Sequence, residues 1–395
     1  MRTFGKWLGR LLLTFAVAVA AFLIVAPGHV ERSRNAITSE GGFPVSDVAR
    51  RLHGDLAIGD WHADTLLWKR DVLDRADRGH VDLPRLIEGN VALQVFTAVT
   101  KSPAGQNYEE NSADARDNIT LLAVGQLWPA RTWDSIFERA VYQAERLQKA
   151  EAASGGQLRI LRSSADIDAL LADRDAGQTV VGGMLGIEGA HPLEGDIANL
   201  QKLQDEGYRV IGLQHFFDNA LGGSLHGIGN KGLTDFGREV VNAISERNLV
   251  LDLAHSSPKV AEEVIALTDI PLIVSHTGIY GNCPVKRNYE DALMQAIVAN
   301  GAADGGGVVG IGYWADVTCD DSPAGVAKTV KAAVDLLGED HVSLGSDYDG
   351  SVATAFDTSQ LVALTHALIE AGLSEAQIRK VMGENMLRVL KARLG

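Results

Sequence analysis

Cysteine is almost missing from this 395-residue chain, which holds only Cys283 and Cys319. Two cysteines exclude a disulfide-scaffold fold and any Cys₄ zinc site. They leave two readings open: one disulfide in an oxidising compartment, or two unpaired thiols. Basic residues are in deficit as well, 36 Lys and Arg against 51 Asp and Glu, for a formal net charge of −15. Phosphate attraction needs a basic face, so this balance argues against a nucleic-acid partner. There is no G-x-S-x-G nucleophile elbow. The glycine-rich stretches Gly227–Gly237 and Gly301–Gly312 show neither the GxxxxGK[ST] order nor a dinucleotide fingerprint, and read as turns and packing positions. What remains is a globular composition, 46% hydrophobic and 22% charged.

Long apolar runs are confined to the N-terminus. Arg2, Lys6 and Arg10 precede a nearly unbroken apolar segment from Leu11 to Pro27, followed by the polar stretch Gly28–Asn35. The run has no polar face, which makes a core helix the poorer reading. Its length lies between a signal-peptide core and a spanning helix. No convincing small-x-small cleavage site follows it, so an uncleaved signal anchor is favoured over residues 1–35, with a cleaved signal peptide as the alternative. The basic flank then stays in the cytoplasm, which places the rest of the chain outside, membrane-anchored and extracytoplasmic. A linker is expected over His29–Ser46, and residues 36–395 form one catalytic domain.

In that domain short β-branched runs alternate with helical patterns. The strand candidates are Leu56–Trp61, Val91–Val99, Val180–Ile187, Arg209–Leu213, Val250–Ala254, Leu272–Ser275, Val308–Gly312 and Val342–Ser346. Helices are expected at Ile197–Glu206, Asp235–Arg247, Lys259–Leu267, Tyr289–Ala299 and Ala324–Leu337. Eight β-then-α units predict an α/β fold, a (β/α)₈ TIM barrel behind the N-terminal helix; a doubly wound sheet is the alternative. Asn107–Lys149 is an extended, mostly helical excursion, and Ser374–Leu394 reads as one or two closing helices capped by Ser374.

Barrel enzymes carry their chemistry at the carboxyl ends of the strands. Here polar side chains stand at that end repeatedly: Asp60-Trp61-His62-Ala63-Asp64, Glu188 with His191, His215 with Asp218 and Asn219, His255, His276, and Asp347-Tyr348-Asp349-Gly350. Taken singly, each is as well explained by a core histidine or a helix cap; their recurrence is the signal. With period two, His62 and Asp64 project to one side and reach one ion. Imidazole and carboxylate without thiolate suit zinc, and the number of ligands exceeds what one catalytic zinc needs. A two-metal site follows, with one carboxylate bridging, and its chemistry is amide or ester hydrolysis.

These motifs, collinear from about Leu56 to the C-terminus, resemble the membrane dipeptidase (renal-type dipeptidase) family of amidohydrolase-like metal hydrolases. Further matching stretches are Gly232-Leu233-Thr234, Arg287-Asn288 and Glu384-Asn385-Met386-Leu387-Arg388-Val389. The resemblance implies two zinc ions per chain, the first on His62 and Asp64, the second on His255 and His276, with Glu188 bridging. It implies hydrolysis of dipeptides by a hydroxide between the metals, with tolerance of a D-residue at the C-terminal position. His215 would stabilise the scissile carbonyl oxygen. Arg287 would grip the dipeptide carboxylate. Asp347 would move the proton from water to the leaving amine, and Tyr313 would line the pocket. A homodimer is also implied.

The chain departs from the family pattern at Trp61 and Ala63, which stand where the family usually has Gly and Asn. This puts substrate preference in play. The competing activity is that of a related binuclear hydrolase acting on lactones, phosphoesters or N-acyl amino acids. Arg287, and Glu188 where some relatives have a modified lysine, argue against it. A catalytically silent envelope protein would be expected to have lost a ligand, and none is lost.

Overall fold

The structure is a computed structural model describing residues 2–395. Nine parallel strands occur among the described residues: β1 Ile58–Ala63, β2 Val91–Val99, β3 Leu158–Ile160, β4 Val181–Glu188, β5 Tyr208–Gly212, β6 Val250–Asp252, β7 Leu272–Thr277, β8 Val308–Ile311 and β9 Val342–Leu344. Their side chains are buried almost throughout, as in parallel sheets covered by helices. Eight pair in the order β1-β2-β4-β5-β6-β7-β8-β9, and β3 adds to the start of β4 off that path. The ring closes where Ala63 bridges Tyr348 and the Asp64 amide donates to the Tyr348 carbonyl at 2.9 Å. Asp60 reinforces the seam by accepting the Ser346 amide at 3.1 Å. This is the expected TIM barrel. Only β3 was not separated in the sequence, because three residues are too short a run to show a period.

The helical patterns form helices at Ala198–Asp205, Asp235–Glu246, Pro258–Leu267, Asp291–Ala299 and Pro323–Leu337, each within two residues of expectation at either end. Three of them start on capping hydroxyls: Thr234 accepts the Gly237 amide, Ser257 the Val260 amide and Ser322 the Gly325 amide, the last two with Pro at the first helical position.

One apolar cluster draws Trp61, Val95, Met184, Val210, Val250, Ile273 and Val308 from seven barrel strands, with Met386, Val389, Leu390 and Leu394. Side chains from strands all round a ring meet only inside it, so this cluster is the barrel interior. The terminal helix Asn385–Leu394 plugs its lower end. Burying each large apolar side chain contributes about 1.5–3 kcal/mol. Ser374 caps the tail as expected, accepting the Gln377 amide in a capping box. Gly383 lets the tail approach β1: a Cβ there would stand 1.8 Å from the Ala57 carbonyl oxygen.

The N-terminal helix corrects the sequence reading. It runs from Arg2 to Arg34, through Pro27, so the first part of the expected linker His29–Ser46 is helical. That part is also docked. Glu31 is buried between Arg70 (Nε–Oε1 2.6 Å) and Arg78 (Nε–Oε2 2.7 Å). Asn35 Oδ1 accepts the Ser351 amide at 2.8 Å, and Ile37 bridges Thr354. A free linker would leave these polar groups in water; here the barrel supplies their partners.

Candidate metal centre

The polar side chains named at the strand ends meet at the carboxyl end of the barrel. Glu188, the last residue of β4, is the hub. Its Oε1 lies 3.6 Å from His62 Nε2, 3.2 Å from His255 Nε2 and 3.3 Å from His276 Nε2, while Oε2 lies 3.3 Å from His215 Nε2. Asp64 Oδ1 and Asp347 Oδ1 stand 3.4 Å and 3.8 Å from His62 Nε2. All seven side chains are buried.

Local backbone aims them. The register of β1 against β2 slips between Asp60 and Ala63, so the convergence of His62 and Asp64 comes from a bulge and the turn after it rather than from plain alternation. Gly189, at φ +76°, turns the chain just after Glu188; a Cβ there would lie 3.0 Å from His215 Cβ. His255 and Asp347 take left-handed conformations, φ +63° and +58°, which cost about 1–3 kcal/mol each and persist where the surroundings enforce them. Neighbours hold the groups in turn. Thr97 Oγ1 donates to Asp64 Oδ1 at 2.5 Å, Ser275 Oγ is 2.8 Å from His276 Nδ1, and Tyr289 OH donates to the Leu253 carbonyl below His255 at 2.7 Å. Such partners fix the orientation of metal-binding side chains.

Electrostatically the cluster is unbalanced. Burial, reinforced by Asp64 and Asp347, pushes the Glu188 carboxyl well above the usual range. Burial pushes Asp347 up to about 8, against the pull of His62. Burial drives His215 down to about 4, and His255 and His276 well below the ordinary imidazole value, so all three are neutral and able to act as ligands. Burial also opposes a charge on His62, but Asp64, Glu188 and Asp347 together outweigh it and raise His62 to about 10. His62 Nε2 is buried without a hydrogen-bond partner among the described residues, and His255 Nε2 and His276 Nε2 face one another at 3.0 Å. Buried lone pairs and carboxylates without donors are costly. A divalent cation resolves both deficits, and the donor set fits one. Three overlapping groups could hold an ion: His62, Asp64 and Glu188; Glu188, His215 and His255; His62, His276 and Asp347.

Arg287 joins the cluster from the loop after β7, its Nη2 donating to the His276 carbonyl at 2.8 Å and lying 3.2 Å from His255 Nε2. A cation held by His255 Nε2 would compete with this last contact for the same ring nitrogen. The cysteine question is settled: Cys283 and Cys319 form a disulfide joining the loops after β7 and β8. Asn288, next to Arg287, donates to the Cys283 carbonyl at 2.9 Å and the Val317 carbonyl at 3.0 Å, so the clasp holds the loop that carries Arg287.

Tyr313 is the expected site residue that the structure does not bring in. It is fully buried, stacked on Phe356 at 5.3 Å and edge-on to Tyr348. The cavity over the cluster is instead lined by Gln106, Tyr108, Ile119, Phe216 and Val352, with Asp64, Glu188, His215, His255, Arg287 and Asp347. Tyr108 was missed; it comes from the excursion after β2, whose excess length was its one visible signal. Its hydroxyl accepts from Trp314 Nε1 at 3.0 Å. His191 stacks on Phe217 at 4.7 Å and belongs to none of the three groups, as its structural reading expected.

A Klebsiella pneumoniae protein in the pqqA 5′ region is 30% identical over 260 residues, 62% of this chain and 92% of that protein. Dipeptidase verJ of Clonostachys rogersoniana is 26% identical over 87% of this chain and 85% of its own length. Among solved structures, the dipeptidase AC, a metallo peptidase of family M19, superposes with a TM-score of 0.71 at 26% identity, covering 86% of this chain and 99% of that one. A metallo peptidase from Rhodobacter sphaeroides, bound to a phosphinate mimic of the dipeptide L-Ala-D-Ala, superposes at 0.69 and 26% identity with the same coverage. The model of the membrane dipeptidase family, peptidase family M19, matches residues 46–393. With that span matched on a barrel of the same fold, the chain belongs to the membrane dipeptidase family and is a metallo-dipeptidase.

Proposed function

We propose that the chain hydrolyses dipeptides, including those with a C-terminal D-residue, with two zinc ions held by His62, Asp64, Glu188, His255 and His276. The observation that carries this is the hub geometry: one buried carboxylate within 3.6 Å of imidazole nitrogens from three strand ends, with a fourth imidazole on its other oxygen. His62 and Asp64 would hold one ion, His255 and His276 the other, and Glu188 both. When bound, such a pair acidifies water towards neutral pH and polarises the scissile carbonyl.

The remaining steps fall to the protein. His215 stands where it can hydrogen-bond the carbonyl oxygen as negative charge develops there. Asp347 takes the proton of the attacking water and delivers it to the leaving amine; the nearby cations counter the burial that raises it. Arg287 pairs with the C-terminal carboxylate of the substrate. Family membership bears on the D-residue preference only through the relative crystallised with an L-Ala-D-Ala mimic.

We also read the N-terminal helix as an uncleaved anchor that leaves the barrel outside the cytoplasm. The apolar window in Arg10–Arg34 is almost wholly exposed, and the Cys283–Cys319 disulfide suits an oxidising compartment. The family resemblance adds a homodimer, which mass measurement in detergent tests. Metal analysis of the purified protein, with a panel of L,L and L,D dipeptides, tests the activity. Two zinc ions per chain and turnover of both series are expected. Inert dipeptides with lactones or phosphoesters consumed would overturn it in favour of a related binuclear hydrolase.

A further inference from the structure

The excursion after β2 carries a surface that the catalytic reading leaves unexplained. Residues 118–130 contain no Asp, Glu, Lys, Arg or His, in a chain with 22% charged residues. The helix Asn118–Gly125 turns Ile119 and Ala123 inward and leaves Leu121 54% and Val124 39% exposed; Leu127 just beyond is 60% exposed. Spaced three apart, these three form one apolar ridge. Leu127 also takes a left-handed conformation, φ +59°, uncommon for leucine, while its side chain is held outward. A water-facing ridge of this kind gains nothing from such an arrangement; single exposed apolar residues are ordinary, but a charge-free cluster of them marks a contact.

The neighbouring element identifies the occupant. The helix Asn118–Gly125 packs against the N-terminal helix Arg2–Arg34. Ahead of Glu31, the residues of that helix with reduced exposure, among those described, are Leu23, Ala26, Pro27 and Gly28, at the end of its apolar run. The ridge therefore stands at the level where the anchor leaves the bilayer. Glu31 and Asn35, bonded to Arg70, Arg78 and the Ser351 amide, prevent the barrel from swinging away from that level. Ile119, on the same short helix as the ridge, lines the cavity over the metal centre, and so do Ser351 and Val352.

We propose that Leu121, Val124 and Leu127 dip into the outer leaflet of the bilayer beside the anchor, as a second, monotopic membrane contact, and set the mouth of the metal site at the membrane surface. The proposal rests on the anchor reading above. Its partner is the acyl-chain boundary of a lipid bilayer, recognised by apolar burial rather than by charge. Dipeptides would then enter from the membrane–water interface.

The test uses the full chain in phosphatidylcholine vesicles. Both native cysteines are paired, so an introduced cysteine is the one free thiol for an environment-sensitive fluorophore. Labels at Leu121→Cys and Leu127→Cys are compared with Phe15→Cys in the anchor and Leu267→Cys, 38% exposed on the barrel. Blue-shifted emission, and quenching by nitroxides carried on the lipid chains, are expected at the first three and absent at Leu267, unaffected by high salt. Ridge labels that report water like Leu267 overturn the proposal, whereas a quenched Phe15 label in the same vesicles shows that the anchor still stands. Ridge labels that are blue-shifted but not quenched by the lipid-borne nitroxides overturn it too, because a second copy then covers the ridge. Cleavage of the anchor, read as loss of the Phe15 label, leaves the ridge labels to decide on the same criterion.

Discussion

Asp347 and Asp349 stand two residues apart on the loop after β9, both buried, both in left-handed conformations at φ +58° and +63°. Their carboxyls are driven in opposite directions. Burial raises both, but around Asp349 the Arg70 guanidinium, His80 and the hydroxyl of Thr65 outweigh it and hold the carboxyl below its usual range. Oδ2 accepts from Thr65 Oγ1 at 2.7 Å and from Arg70 Nη2, and Oδ1 accepts the His80 amide at 2.7 Å. Asp347 instead looks onto Asp64 and is pushed up to about 8. A buried charge whose partners are complete is part of the architecture; one facing like charge is waiting for a cation. The network of Asp349, Arg70, Glu31 and Arg78 ties the foot of the N-terminal helix to the loop after β9, while the Glu188 cluster remains short of positive charge.

The sharpest way to break this contrast is at the hub. Glu188→Gln removes the carboxylate shared by all the imidazoles, so metal content and dipeptide turnover should fall together to background; retained metal would show that the cluster is not one site. Asp347→Asn should leave both metals bound and cut kcat by about 10²–10⁴-fold, the usual worth of a proton-transferring group. Unchanged kcat would take the proton-transfer role from it.

Asp349→Asn should do the reverse, leaving the chemistry in place but costing about 1–3 kcal/mol of stability by removing one of the two carboxylates paired with Arg70, the other being Glu31, as urea unfolding measures. The sign for pH follows. The folded chain holds Asp349 below the unfolded value of about 3.9, so its contribution is full above that pH and fades as pH falls through the depressed folded value. Acid titration of stability should show this loss in the parent chain and not in Asp349→Asn. The smallest effect is at the rim: Arg287→Ala should raise KM for free dipeptides by about 10–100-fold with little change in kcat, the worth of a charge-assisted hydrogen bond. An unchanged KM would remove the carboxylate clamp.

Much of the site was legible because it sits on strands. A metal-capable residue after a β-branched run has few places to go in a barrel, and His215, Glu188, His255 and His276 converge from that rule. His62 and Asp64 converge too, but through a slip in register that no alternation pattern displays. Tyr313 fails the same rule. Its amide donates to the Ser346 carbonyl at 3.3 Å, extending the pairing of β8 with β9, and its ring stacks on Phe356, a residue of the far loop that its own neighbours give no hint of. The linker reading fails for a related reason, since Glu31 finds Arg70 39 residues further along the chain.

The order of residues alone decided the barrel, the apolar N-terminal helix and the type of chemistry at the strand ends, because hydrophobic period and donor type are local properties. Only the folded chain decided which buried charges are neutralised, that the two cysteines pair, and which wall of the site carries the charge-free ridge. Those depend on distances through space between segments far apart in the chain, and Coulomb energy and apolar burial are set by such distances alone.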